Sequence, residues 1–410
     1  MKKIVKCAAC IVNCMIVAVL VLALYMNAQL PDSYSVVAGE EITIRYPALA
    51  MKYKSQSTEP QVYASPGNSY RMDLKLLGAI QVKTVEVNVV NRKMVQVCGT
   101  PFGIKMFTDG LMIVGMSDIP YQGGRVNPAR DSGLKVGDIL EKINGVKLVT
   151  NEQFGKIVED SGGQPLQVQA RRNNRMFSAV LKPVKSGGDE KYRVGVWVRD
   201  SSAGIGTMTY YDPNSGLFTG LGHAVCDVDT GDIMPLANGQ IVDAEITGYK
   251  KGVAGTPGEL KGKFSEGAPI GELLANTSTG VYGNSKAVFS HSGVLMPVAM
   301  GYEVETGKAT ILTTINGKTP QEYEIEIEKV LVGENGKGQN LVIHVTDKTL
   351  LEKTGGIVQG MSGSPIIQNG MLVGSVTHVF VNDPTRGFGI FAENIQNNAK
   401  TAVPIVHNAS

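Results

Sequence analysis

The stretch 355–370, GGIVQGMSGSPIIQNG, constrains this chain more than any other. Its centre, Gly360-Met361-Ser362-Gly363-Ser364-Pro365, has the form G-x-S-G-x-P. Glycines on either side of Ser362 open backbone dihedrals closed to residues with a Cβ. A hydroxyl can then stand out from a tight loop. The N–H groups of Gly360 and Ser362 can turn into one small space, as an oxyanion hole requires. Ile366 and Ile367 start a strand, Gln368-Asn369-Gly370 makes a hairpin turn, and 371–377 returns. The pattern predicts a candidate nucleophile on a loop feeding a β-hairpin. Gly/Ser/Pro clusters between strands are more often plain turns, so the reading needs a base elsewhere in the chain.

At 410 residues the chain exceeds one ordinary domain. Net charge is +2 with 19% charged residues, which speaks against nucleic acid as a partner. Many short Val/Ile/Thr runs broken by some of the 49 glycines predict a mainly β protein. Cys7, Cys10 and Cys14 cluster at the start, leaving Cys98 and Cys226, which read as small buried hydrophobes. Neither a disulfide framework nor a metal-binding spacing is visible. No cofactor is expected.

Lys2, Lys3 and Lys6 precede a run over 7–26 that is apolar except for Asn13. This reads as a signal peptide or membrane anchor over 1–28. Positive charge before the run keeps the N-terminus inside and exports the body. A small β domain over 29–97 follows, with a strand at 41–45, a polar loop over 55–69 and further strands over 70–90. Within it the apolar pattern runs through Val82, Val85, Val87 and Val89.

The segment 129–145 contains GLKVGDILEKING and reads as a short helix, a turn and a strand ending in Asn-Gly. Thr150 and Gln153 form a capping box, and Phe154, Ile157 and Val158 give the next helix its apolar face. A hairpin across Asn173-Asn174 follows. The run 98–185 resembles a PDZ domain. That resemblance implies that Phe102, Gly103 and Ile104 form a carboxylate-binding loop and that 104–108 accepts an added peptide strand. The other reading is a module that holds the chain's own segments.

A linker, KSGGDEK, leads to a third domain over 192–410. Here Gly220-Leu221-Gly222-His223-Ala224-Val225 follows a strand. A double-barrel protease of the chymotrypsin type places its base there, with its serine in the second barrel. A lone histidine is more often a satisfied packing residue, but the loop around Ser362 favours catalysis. His291 falls in a polar turn, His344 in a strand and His407 in the tail. For the acid, Asp227, Asp229 and Asp232 crowd the turn CDVDTGD and read as solvated. Asp347 lies shortly before the serine loop, and Asp243 lies on a strand of the first barrel.

Taken together, the anchor, the PDZ-like module, TGLGHAVCDVDTGDIMP, PGELKG and GGIVQGMSGSPIIQNG followed by VTHVFVNDPTRGFGIF are similar to the stage IV sporulation protein B family of serine peptidases. The resemblance covers nearly the whole chain. It implies a chymotrypsin-like, self-cleaving peptidase with His223 as base, Ser362 as nucleophile and Asp347 as the third member, Asp243 being the reserve. It further implies export from the forespore into the space between two membranes. There the family cuts a membrane-bound inhibitor of an intramembrane metalloprotease, and a mother-cell sigma-factor precursor is then processed. The expected partners are that protein substrate at a membrane surface, the chain's own N-terminal region and an unidentified PDZ ligand. Met361, rather than an aspartate, precedes the nucleophile, so the trypsin-type zymogen switch is unavailable. Two rival readings are a non-catalytic PDZ adaptor with a dead protease fold and a broad quality-control protease of the HtrA type.

Overall fold

In the computed structural model, the described residues are 2–40, 42, 49–53, 65–285, 293–331 and 338–402. Helix α1 (Lys2–Gln29) carries the apolar run. By length and composition its segment Cys10–Ala28 suffices to cross a membrane. Strands β1 (Ser33–Val37), β2 (Leu49–Tyr53), β3 (Ser69–Leu76) and β4 (Ile80–Val90) form a sheet in the order β1-β4-β3-β2. The expected alternation holds, since Val82, Val85, Val87 and Val89 are all buried with Met72 and Leu74. Of the strand expected at 41–45, all but Ile42 lies outside the described residues, as do His291 and His407. Arg92 ties this sheet to the rest, reaching Glu40 and Glu303 at 2.7 Å each.

Two strands follow, β5 (Met94–Val97) and β6 (Pro101–Met116). Strand β6 serves two bodies. Beyond Gly110 it joins the PDZ-like insert, which comprises the hairpin β7 (Ile119–Tyr121) and β8 (Gly124–Val126), α2 (Pro128–Asp131), β9 (Ile139–Ile143), β10 (Val146–Lys147), α3 (Asn151–Asp160), β11 (Leu166–Arg172), β12 (Arg175–Leu181), β13 (Val184–Lys185) and β14 (Tyr192–Arg193). The insert's core contains Leu111, Ile113, Leu134, Leu140, Ile143, Phe154, Val158 and Val168. Thr150 caps α3 by accepting the Gln153 N–H at 3.1 Å, and Gln153 reaches back to the Val149 N–H. Asn173 and Asn174 both have positive φ, as the tight hairpin turn demands.

The chain leaves the insert through β15 (Val196–Tyr211), which pairs with β6 along almost its whole length. With β16 (Leu217–Gly220), β17 (Leu236–Lys250), β19 (Gly271–Thr277) and β20 (Gly280–Ser285), these strands close a first barrel in the order β6-β17-β19-β20-β16-β15 and back to β6. Strand β18 (Glu259–Phe264) forms a hairpin with β17, and β21 (Leu295–Pro297) pairs with β5. The second barrel is closed and uninterrupted by an insert. It consists of β22 (Gly307–Thr313), β23 (Gln321–Val330), β24 (Leu341–Val345), β25 (Pro365–Gln368), β26 (Met371–Phe380) and β27 (Asp383–Phe391), with α4 (Lys348–Thr354) between β24 and β25. Helix α5 (Ala392–Ala402) packs against strands of both barrels.

Two expectations change here. The PDZ-like module does not begin at residue 98 as a separate bead ahead of the protease. Its core begins near Leu111, and it is inserted into the wall of the first barrel. Phe102, Gly103 and Ile104 are not a carboxylate-binding loop. They lie near the start of β6, paired with β15 on one side and β17 on the other, so neither edge is open to a peptide. Phe102 is fully buried in the barrel core, and a Cβ on Gly103 would fall 2.6 Å from Phe264 and Val242 side chains.

Candidate active site

Ser362 sits in the loop between α4 and β25. Gly360 and Gly363 flank it with φ of +98° and +99°, the region that favours glycine. A Cβ on Gly363 would lie 1.8 Å from the Thr207 carbonyl oxygen and 2.5 Å from the Leu221 nitrogen. This close approach brings the serine loop against the histidine loop.

Thr207 of β15 staples the two loops together. Its N–H donates to the Ser362 carbonyl at 3.0 Å, and its hydroxyl donates to the Gly360 carbonyl at 2.8 Å. Its carbonyl accepts from Leu221 N–H at 3.3 Å, two residues before His223. The sequence reading missed Thr207, because a threonine within a strand carries no signal of its own. The PGELKG segment braces the loop from the other side. Gly258 accepts the Gln359 N–H, Leu260 donates to the Gln359 carbonyl, and the Leu260 side chain lies where a Cβ on Gly360 would be 3.0 Å away.

The loop's own N–H groups divide into two kinds. Met361 N–H donates to the Val358 carbonyl and Gly363 N–H to the Val376 carbonyl. Among the described residues, the N–H groups of Gly360 and Ser362 make no hydrogen bond.

His223 follows β16, half-buried beneath the same part of β26. A Cβ on Gly222 would lie 3.0 Å from Thr377 Cγ2 and 3.3 Å from the Val376 carbonyl. The His223 and His378 ring centroids are 4.8 Å apart. Ser362 Oγ donates to the Thr377 carbonyl at 2.7 Å. The 376–378 segment is thus the common neighbour of the hydroxyl and the imidazole. His223 Nδ1 meets the Ala224 carbonyl at 2.7 Å. A carbonyl can only accept, so the ring proton sits on Nδ1 and the lone pair on Nε2. Burial pushes the His223 pKa down to about 4, the Ala224 carbonyl partly opposing the shift and His378 adding to it. Burial lowers the His378 pKa as well. The His223 imidazole is therefore neutral at physiological pH.

The acids are placed elsewhere. Asp347 follows β24 and N-caps α4, accepting the Leu350 N–H at 2.9 Å. The opposite end of β24 faces the histidine loop, since a Cβ on Gly338 would lie 3.5 Å from the Gly222 carbonyl. A strand advances about 3.3 Å per residue, so the length of β24 separates Asp347 from His223. Asp243 takes the Ser265 hydroxyl at 2.7 Å and pairs with Lys318. Among the described residues, neither carboxylate is hydrogen-bonded to His223. The position of a triad acid, at Nδ1, is filled by the Ala224 carbonyl. Asp227, expected to be solvated, is instead buried. Cys98 is buried and its pKa is pushed up to about 12, whereas Cys226, expected to be buried, is exposed. Among the described residues, no group of three or more His, Cys, Asp or Glu could hold a metal ion.

The family model described as SpoIVB peptidase S55 matches residues 190–396. Among solved structures, the active form of the Rv3671c protease from M. tuberculosis is 14% identical, with 50% of this chain and 75% of that one covered at a TM-score of 0.29. An inactive form of the same protease is 13% identical, with 48% and 84% covered at 0.28. The PDZ domain of the SdrC-like protein from Listeria monocytogenes is 17% identical, with 22% and 87% covered at 0.19. No curated protein matches this chain.

Proposed function

The chain belongs to the SpoIVB peptidase S55 family, and on that premise we propose that Ser362 is its nucleophile and His223 its general base. Membership makes it a serine endopeptidase acting on protein substrates. One observation carries the assignment of residues: the two loops are fastened to each other through Thr207, with the Gly360 and Ser362 N–H groups left uncommitted beside the hydroxyl.

The reaction is acyl transfer. Ser362 Oγ turns from the Thr377 carbonyl toward His223 and attacks the scissile carbonyl carbon. Its proton passes to His223 Nε2, while the new oxyanion is held by the Gly360 and Ser362 N–H groups. Collapse breaks the C–N bond, and the proton on Nε2 goes to the leaving amine. Water then enters by the same route in reverse, with His223 taking its proton, and frees Ser362. The Ala224 carbonyl keeps the imidazole in the required tautomer and takes the orienting role usually given to an acid. Asp347 acts on the nucleophile side as the cap of the helix leading into the serine loop.

The family and the apolar helix α1 support an extracytoplasmic body, held at or delivered through a membrane. On this reading the enzyme works in the forespore intermembrane space. It cuts its own N-terminal region and then a membrane-bound inhibitor, releasing an intramembrane metalloprotease that processes a sigma-factor precursor. In sporulating cells Ser362→Ala should leave both the self-cleavage fragment and the processed sigma factor missing from immunoblots. Normal processing in that variant would reject this role.

A further inference from the structure

Arg199 stands where the insert, the first barrel and the base meet. It lies in β15, opposite Met112 of β6. The next residue, Asp200, accepts the N–H of Asn151, the first residue of α3, at 2.9 Å. Arg199 therefore belongs to a strand that the insert and the barrel share.

Its guanidinium reaches across to the loop after His223. Nη1 pairs with Asp227 Oδ2, and Nη2 with Asp229 Oδ2 at 2.7 Å. The Asp227 side chain is 0% exposed. Its other oxygen accepts from Asp229 N–H, Thr230 N–H and the Thr230 hydroxyl at 3.0, 2.9 and 3.2 Å. This carboxylate is thus the hub of the 226–233 loop. The loop is closed by Asp227 N–H to the Asp232 carbonyl and by the Cys226–Ile233 bridge. Asn276 of β19 pins its mouth, holding Val225 on both backbone groups and the Met234 carbonyl. The residue just before that mouth is Ala224, whose carbonyl holds His223 Nδ1.

Neither Arg199 nor Asp227 takes part in the acyl transfer. An ion pair with a buried carboxylate is a poor device for stability alone, because desolvation offsets most of its attraction. A two-pronged guanidinium is a good device for fixing geometry. We infer that Arg199 and Asp227 are a positioning pair, setting the 226–233 loop and through it the Ala224 carbonyl that orients His223. The insert is thereby joined to the base by a rigid line: α3, Asp200, Arg199, Asp227, Ala224. A displacement of 196–200 by anything bound to the insert moves the imidazole.

The inference rests on His223 as base, so the test carries that arm separately. Asp227→Asn keeps the loop's acceptor oxygen and removes the charge; Arg199→Gln removes the fork; Arg199→Lys keeps charge but at most one contact. Turnover of fluorescently labelled β-casein by the full chain, fluorophosphonate labelling of Ser362 and melting temperature are measured together. Asp227→Asn and Arg199→Gln should lower kcat about 10–100-fold with KM changed less than about threefold. Ser362 labelling should slow in step, and Arg199→Lys should recover part of the rate. Wild-type kcat in Asp227→Asn or Arg199→Gln overturns the inference, as does a loss that follows melting temperature equally in all three. If Asp227→Asn does not fold, Arg199→Lys decides: reduced kcat at unchanged melting temperature supports the pair, and wild-type kcat refutes it. A dead His223→Ala beside active Arg199 and Asp227 variants removes only this inference, whereas an active His223→Ala removes the base itself.

Discussion

The two barrels hold the proposed nucleophile and the proposed base in different ways. The second barrel is continuous, and its Ser362 loop is seated against the first barrel by hydrogen bonds to Thr207 and by close approach: Gly360 and Gly363 lie where larger residues cannot, against Leu260, Thr207 and Leu221. The first barrel carries the insert between the paired strands β6 and β15; the Ala224 carbonyl holds His223 Nδ1, and Asn276, Asp227 and Arg199 hold the loop that follows. Packing contacts are short-ranged and have few alternatives. Polar contacts can be loosened or re-formed by a shift in a neighbouring strand. On the proposed assignment, the nucleophile side is the more closely packed half of the site, and the base side is the half that the insert can reach.

The largest expected effect tests whether both halves belong to one site. Ser362→Ala and His223→Ala should each lower β-casein turnover by about three orders of magnitude or more at little change in melting temperature. Activity surviving either change would separate the two barrels. Next, Gly363→Ala should destabilise the fold by about 3 kcal/mol or more, since its methyl would overlap the Thr207 carbonyl. A denaturation curve like that of the wild type would show that the nucleophile side is not held by packing.

The base side should reveal itself in pH. His223 has a folded pKa near 4, below its ordinary value near 6.5. Its neutral form therefore favours the folded state. That contribution is complete above the unfolded value and is lost as pH falls from about 6.5 toward 4. The acid limb of kcat/KM should lie below the usual histidine range, and burial lowers the neighbouring His378 as well. A limb at or above pH 6.5 would contradict the enclosure of the ring.

Smaller effects sharpen the assignment of acids. Asp347→Ala should cost about 1 kcal/mol, the worth of a helix cap, with a modest loss of rate through the serine loop. A loss of about four orders, as a triad acid gives, would place Asp347 with the base after all. Thr207→Val, which removes the hydroxyl bond to Gly360, should cost about 1 kcal/mol and lower kcat more than it raises KM.

Much of this site can be read in the sequence because some of its physics is local. Gln368-Asn369-Gly370 is the expected turn, with positive φ at Asn369 and Gly370. The glycines around Ser362 mark the loop, and Leu134, Leu140 and Ile143 mark the insert's core. What stays hidden depends on distant partners. Phe102–Ile104 has the apolar character of any central strand, and only β15 and β17 reveal that both its edges are taken. Asp347 before Lys-Thr-Leu is equally a strand-end acid or a helix cap, and the Leu350 N–H decides between them. Asp227 sits among polar residues in a turn, yet it is buried because Arg199 arrives from a different part of the chain.

The shared strand also has a consequence for how the molecule is made. Phe102 emerges from the ribosome long before Gly206 and Asp243, the residues it must lie between. The first barrel's wall thus waits, half-finished, while the intervening module is synthesised, and such long-range pairings form slowly. Hydrolytic competence therefore arrives late in biogenesis, long after the apolar helix α1 has been synthesised.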